Sequence, residues 1–220
     1  MLIAVASLRG SPGATTVALA AADLATANGY VIVVDADGDG SLLAHGYGQG
    51  LDGWARTDGA DDPAVHGTAR TSGAVVLAGP VLPVEMPPVV TAATGPLQRV
   101  SRAGVTVVVD CGRIGGPSAG LFHTADRRLL LVRDLPPHVE SVTALLDGRN
   151  GVAEVLRVGP KGRLPDDPQT AELVMGDDCP PQMLRSSPLG RAIASVLADT
   201  GVEMPESDRP AWAEAQGAIA

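Results

Sequence analysis

The chain has 220 residues and a formal net charge of −9, from 25 acidic and 16 basic side chains, and 45% of it is hydrophobic. Length and apolar content predict one domain with a sizeable core, while the acidic balance argues against non-specific nucleic-acid binding, which needs Lys and Arg against phosphate. No apolar run is long enough for a bilayer, Met1 to Leu8 lacks a secretory leader pattern, and Cys111 and Cys179 make no disulfide framework, so a soluble cytoplasmic protein is expected.

Short apolar runs alternate with helical stretches. Leu2 to Ser7 is the first predicted strand. The Ala-rich stretch Thr15 to Asn28 predicts a packed helix closed by Gly29. Tyr30 to Val34 is a β-branched run ending in Asp35, and Ala74 to Ala78 is a short strand closed by Gly79-Pro80. Pro88 to Arg102 predicts a helix. Val105 to Val109, with four valines, predicts a strand ending in Asp110. Arg128 to Val132 and Val152 to Val158 predict two more strands, with a helix over Pro137 to Leu146 between them. Pro188 to Asp199 predicts a last helix.

Continuous apolar strands separated by helices indicate a mostly parallel sheet covered on both faces, a three-layer α/β/α domain. The domain is expected to span residues 1–200, with 45–73 as a flexible loop insertion and 201–220 as a tail. The insertion is rich in Gly, Asp and Thr with weak periodicity, and long loops of this kind often carry function. In such sheets ligands bind beyond the carboxyl ends of the strands.

Beyond the first strand lies Leu8-Arg9-Gly10-Ser11-Pro12-Gly13-Ala14-Thr15-Thr16. A glycine-rich loop entering a helix can wrap phosphate with backbone N–H groups and the helix dipole. A standard P-loop ends Gly-Lys-Ser/Thr, the lysine reaching phosphate and the hydroxyl reaching magnesium. Here Gly13-Ala14-Thr15 keeps the hydroxyl and lacks the lysine. The only lysine of the chain, Lys161, lies elsewhere.

Together with Asp35-Ala36-Asp37 and Asp110, this loop resembles the deviant Walker A group of P-loop ATPases, the ParA/MinD type, within the SIMIBI-like NTPases. The similarity runs from Leu2 to about Leu197. Matched onto the family's loop, Arg9 falls on its extra lysine and Ala14 on the P-loop lysine. Gly10, Gly13, Thr15 and Thr16 match, and Ser11 replaces a glycine. The resemblance implies ATP and magnesium as cofactors. It implies nucleotide contacts from residues Arg9 through Thr16, including Pro12, and from Pro165 in Leu164-Pro165-Asp166-Asp167-Pro168, which resembles a segment beside the adenine pocket. Magnesium would lie near Thr15, Asp35 and Asp110, and Asp37 would position the attacking water.

Two departures matter. Ala14 supplies no positive charge where the transferred phosphoryl needs it, and arginine at position 9 is not a simple replacement for lysine. The chain is also short between Asp147 and Arg163, and no asparagine follows the strand over Val152 to Val158. Hydrolysis is therefore expected to be weak or absent. The family positions cellular assemblies through nucleotide-driven dimers, so the resemblance implies a homodimer and a protein partner in partitioning, division, or pilus or secretion assembly. The Ala-rich, Arg-over-Lys composition fits a GC-rich bacterial genome, and the resemblance is to an actinobacterial-type MinD-like protein. An active ATPase using Arg9, and an interaction module without nucleotide, stay open as alternatives.

Plainer readings apply to other residues. Asp35 also fits the ribose-binding acid of a dinucleotide fold, although Gly-x-x-Gly is the wrong loop. Cys111 reads as a packed side chain. His45, His66, His123 and His138 have no metal-site spacing. Asp61-Asp62 and Asp166-Asp167 read as solvated turns, and Arg127-Arg128 as a strand start.

Overall fold

The computed structural model describes residues 1–8, 13–135, 137, 154–159, 162–199 and 201. Seven strands form one sheet: β1 (Leu2–Ser7), β2 (Val31–Asp35), β3 (Thr68–Ala69), β4 (Val75–Leu77), β5 (Thr106–Arg113), β6 (Arg127–Arg133) and β7 (Glu154–Val158). Their order is β3-β4-β2-β5-β1-β6-β7. Every pairing is parallel except β3 with β4. This is the mostly parallel α/β sheet expected from the apolar runs.

All of β1 is buried, as a central parallel strand must be. Its side chains alternate between two cores. Ile3 and Val5 join the core beneath α1 (Ala14–Ala25), whereas Leu2, Ala4 and Ala6 face the opposite core. The first core is completed by α7 (Pro168–Met175), α8 (Pro181–Ser186) and α9 (Pro188–Asp199). The second takes α3 (Leu51–Arg56), α5 (Met86–Arg102) and α6 (Ala119–Thr124). Two short helices, α2 (Ser41–Ala44) and α4 (Pro63–His66), complete the set among the described residues. The run of alanines explains how α1 lies so close to the sheet. Ala18, Ala20, Ala21 and Ala22 are fully buried, packed between the sheet and the neighbouring helices of the same core.

Several expectations need correction. Residues 45–73 are not a bare loop: they contain α3, α4 and the antiparallel edge strand β3. Trp54 anchors this region, fully buried, with its indole N–H donating to the Asp61 carbonyl at 3.0 Å. A second anchor is Arg70. Its Nε and Nη2 fork onto both oxygens of Asp23 in α1 at 2.9 and 2.8 Å, and Nη2 also donates to the Val174 carbonyl of α7 at 2.8 Å. The Tyr47 hydroxyl accepts from Nη1. The guanidinium thus ties the segment to α1 and α7. Strand β5 also continues past Asp110 to Arg113, so Asp110 lies within the strand. The helix expected over Pro137 to Leu146 lies outside the described residues apart from Pro137, as does the tail beyond Gly201.

Candidate functional site

Parallel pairing of β2 with β5 sets Asp35 directly beside Asp110 in register. Both are fully buried. Asp110 Oδ1 accepts the Gly112 N–H at 3.0 Å, and the Thr15 hydroxyl, from the first turn of α1, also bonds this carboxylate. Oδ2 is buried with no hydrogen-bond partner among the described residues. Asp35 accepts N–H groups from Asp37 at 3.0 Å and Leu42 at 3.3 Å. Burial pushes Asp35 up to about 7, and the neighbouring Asp110 charge pushes the same way. Asp110 is pushed up to about 6, chiefly by burial, against the opposing Thr15 and Gly112 hydrogen bonds.

Asp37 sits over the end of this pair. Its Oδ1 accepts the Asp39 N–H at 3.1 Å. Burial raises its pKa despite the nearby Arg113 charge. The approach needs glycine at 112: a Cβ there would fall 2.1 Å from Asp37 Oδ1, and φ is +59°. Asp35, Asp37 and Asp110 thus lie near one another, with the Thr15 hydroxyl on Asp110 and that residue's Oδ2 unused. Such a donor set fits a hard cation, because magnesium takes one or two protein oxygens and completes its shell with water and phosphate. Among the described residues no group of three or more His, Cys, Asp or Glu side chains is arranged to hold a metal by itself.

The amino end of α1 lies beside these acids. Gly13 is left-handed, with φ 85° and ψ 36°, and no side chain caps the helix. The first turn carries no acidic residue, so its N–H groups and dipole suit an anion. Ala14 opens the helix and is 7% exposed. Arg9, Gly10, Ser11 and Pro12 lie outside the described residues, as does Lys161.

A cavity of about 470 Å³ opens next to Gly13 and Thr16, bounded also by the ends of β6 and β7 and by Leu164 to Pro168. Its size suits a small organic ligand. Pro165 is among the residues that line it. Asp167 is no solvated turn: it caps α7, accepting the Thr170 N–H at 3.2 Å. Asp166 also lines the cavity.

The structure therefore gathers Thr15, Asp35, Asp37 and Asp110 in one place, with Gly13, Thr16 and Pro165 around the adjacent cavity. Arg133, Asp134 and Gly112 were not singled out by motif. Arg133 ends β6, Asp134 follows it, and both line the cavity. The rule that ligands sit beyond strand ends was the available signal for them. Cys111 is packed and inert, its thiol pushed far up by burial. No helix among the described residues is long and apolar enough to cross a membrane.

No protein-family model matches the sequence, and a search of curated proteins returned no match. Solved structures do match. A ParA family ATPase from Chlorobium tepidum TLS superposes with a TM-score of 0.67 at 12% identity, covering 90% of this chain and 98% of that one. The MinC:MinD cell division protein complex of Aquifex aeolicus gives 0.63 at 14% identity, over 93% and 96%. A putative plasmid partition protein from Borrelia burgdorferi B31, bound to AMPPNP, gives 0.63 at 10% identity, over 90% and 98%. At these identities the likeness concerns architecture: the chain has the ParA/MinD P-loop NTPase fold.

Proposed function

We propose that the chain is a ParA/MinD-like nucleotide-binding protein with a degenerate Walker A loop, acting as a positioning or scaffold factor for a cellular assembly. Hydrolysis is weak or absent. One observation carries this reading. The buried Asp35–Asp110 pair, with the Thr15 hydroxyl on Asp110, keeps the chemistry for a magnesium–phosphate group near a cavity of nucleoside size, while Ala14 removes the cation needed during phosphoryl transfer.

Each residue has a role on this reading. The first-turn N–H groups of α1 receive phosphate, and Gly13 lets the backbone approach it. Thr15, Asp110 and Asp35 would hold magnesium, which would supply positive charge to neutralise phosphate. Asp37 orients a water but has no lysine-polarised phosphoryl group to direct it at. Gly10, Ser11, Pro12 and Arg9 would complete the phosphate cradle. Support for a nucleotide comes from the Borrelia relative bound to AMPPNP, and support for a protein partner from the MinC:MinD complex. The reading includes one nucleotide-binding domain over residues 1–200, a tail over 201–220, a homodimer and a cytoplasmic location.

Calorimetric titration with purine nucleoside di- and triphosphates plus magnesium tests it, alongside a phosphate-release assay. Micromolar binding with negligible release is expected. No binding of any nucleotide would sink the reading, and release at an ordinary rate of about 1 per second or faster would sink the inactive-enzyme part. Light scattering with and without nucleotide tests the dimer.

A further inference from the structure

Strand β5 carries one residue more than its neighbour β1 where the two run out together. Ile3 pairs with Val108 and Val5 with Asp110, yet Ser7 pairs with Arg113 and not with Gly112. The extra residue is taken up by a bulge, with Gly112 at φ +59°. Ser7 Oγ donates to the Gly112 carbonyl at 3.2 Å, and the Ile114 N–H donates to the Ser7 carbonyl at 2.8 Å, so the shifted register is held from both sides.

The bulge decides which face Arg113 shows. Alternate residues of a strand share a face, and residues paired across parallel strands point the same way. Ile3 and Val5 lie in the core beneath α1, and Ser7 continues their face. Asp110 is on that face too, bonded by Thr15 from the first turn of α1. In an unbroken strand Arg113 would instead follow Val109 and Cys111 into the opposite core. The extra residue turns it back. Arg113 stands beside Ser7, on the Asp110 face and about 7 Å further along. Bulges next to functional sites commonly re-aim a side chain in this way.

Three features make this arginine a phosphate ligand. It is exposed, and among the described residues no hydrogen bond or ion pair holds its guanidinium. Its charge reaches the acid cluster, since it draws the Asp37 pKa down against the effect of burial. It also stands near the amino end of α1, where the helix opens with Ala14 and so brings no cation of its own. A planar guanidinium donates in pairs to phosphate oxygens. We propose that Arg113 supplies the positive charge that position 14 withholds, receiving the terminal phosphate of a bound nucleoside triphosphate, an assignment that rests on reading the site as a nucleotide site. A diphosphate has no such group to offer, so Arg113 lets the protein distinguish the two nucleotide states without turnover.

The test is calorimetric titration of the full chain with AMPPNP and with ADP, each with magnesium. The parent should bind AMPPNP at least about tenfold more tightly than ADP, as a charge-assisted contact to one added phosphate allows. Arg113→Met should shrink that ratio about tenfold, through AMPPNP alone, and Arg113→Lys should keep part of it because the charge stays while the fork is lost. Raising the salt concentration should shrink the ratio in the parent and leave it flat in Arg113→Met, a readout that a merely structural role would not move. Thermal midpoints without nucleotide check that these exposed substitutions leave the fold intact. A parent ratio near one, a ratio unchanged in Arg113→Met, an equal loss for both nucleotides, or a ratio that falls only in Arg9→Met overturns the assignment and leaves the nucleotide reading standing. Failure of both nucleotides to bind the parent overturns both.

Discussion

Replacing Asp110 with asparagine should stabilise this protein at alkaline pH when no divalent cation is present. Asp110 titrates at about 6 in the folded chain instead of 3.8, because the buried carboxylate loses water without gaining a cation. At about 1.36 kcal/mol per pH decade, that difference is about 3 kcal/mol of destabilisation at pH 8. The sign follows from proton binding. Between pH 4 and 6 the folded state holds the proton more tightly than the unfolded one, so stability is fully present below pH 4 and falls as pH rises through 6. Asp35, at about 7 instead of 3.8, extends the same fall to slightly higher pH. Asparagine keeps an oxygen for the Gly112 N–H while removing the charge, and it relieves the repulsion felt by Asp35. Urea unfolding in EDTA at pH 4 and pH 8 measures the effect. The variant should exceed the parent by about 1–3 kcal/mol at pH 8 and by little at pH 4. Magnesium with nucleotide should stabilise the parent and not the variant. A variant less stable than the parent at pH 8, or a parent that gains stability from pH 4 to pH 8, would refute the account of an uncompensated buried acid.

Three further outcomes are expected. Arg70→Met leaves Asp23 charged and buried, with side-chain exposures of 1% and 2% in the parent pair. Stability by urea unfolding should fall by about 3–5 kcal/mol, and the double change Asp23→Leu with Arg70→Met should recover most of it; a loss below about 1 kcal/mol would show that the clamp is not structural. Gly112→Ala places a methyl 2.1 Å from Asp37 Oδ1 at φ +59°. It should lower the thermal midpoint and weaken magnesium-dependent nucleotide binding, the backbone strain alone amounting to about 1–3 kcal/mol. Ala14→Lys restores a cation at the start of α1 and should tighten triphosphate binding about tenfold or raise phosphate release. If titration and release assays show neither, the loop is not a phosphate site.

Much of the fold was legible because its strands are nearly pure Val, Ile and Leu, and because parallel strands buried on both faces need no alternation to be seen. Asp35 and Asp110 stood out as charges closing such runs. The stretch 45–73 was misread for a physical reason. Its helices are short, too short to show a period of 3.6, and they are held by single anchors, Trp54 and Arg70, whose partners lie far away in sequence. Gly112 escaped notice likewise. It matters through a neighbour, Asp37, that only chain packing brings close.

The sequence by itself determined the layered α/β architecture, the lack of a lysine anywhere between the first strand and the first helix, and the acids Asp35, Asp37 and Asp110. These are local properties: apolar runs, turn glycines and charges at strand ends. Only the tertiary structure decided that Asp35 and Asp110 are register partners, that the Thr15 hydroxyl reaches the second of them, and that Asp134, just past the end of β6, lines the cavity. Burial raised Asp35 and Asp110 toward the neutral range, and burial is created by the layers of helix packed over the sheet. No stretch of chain read alone contains it.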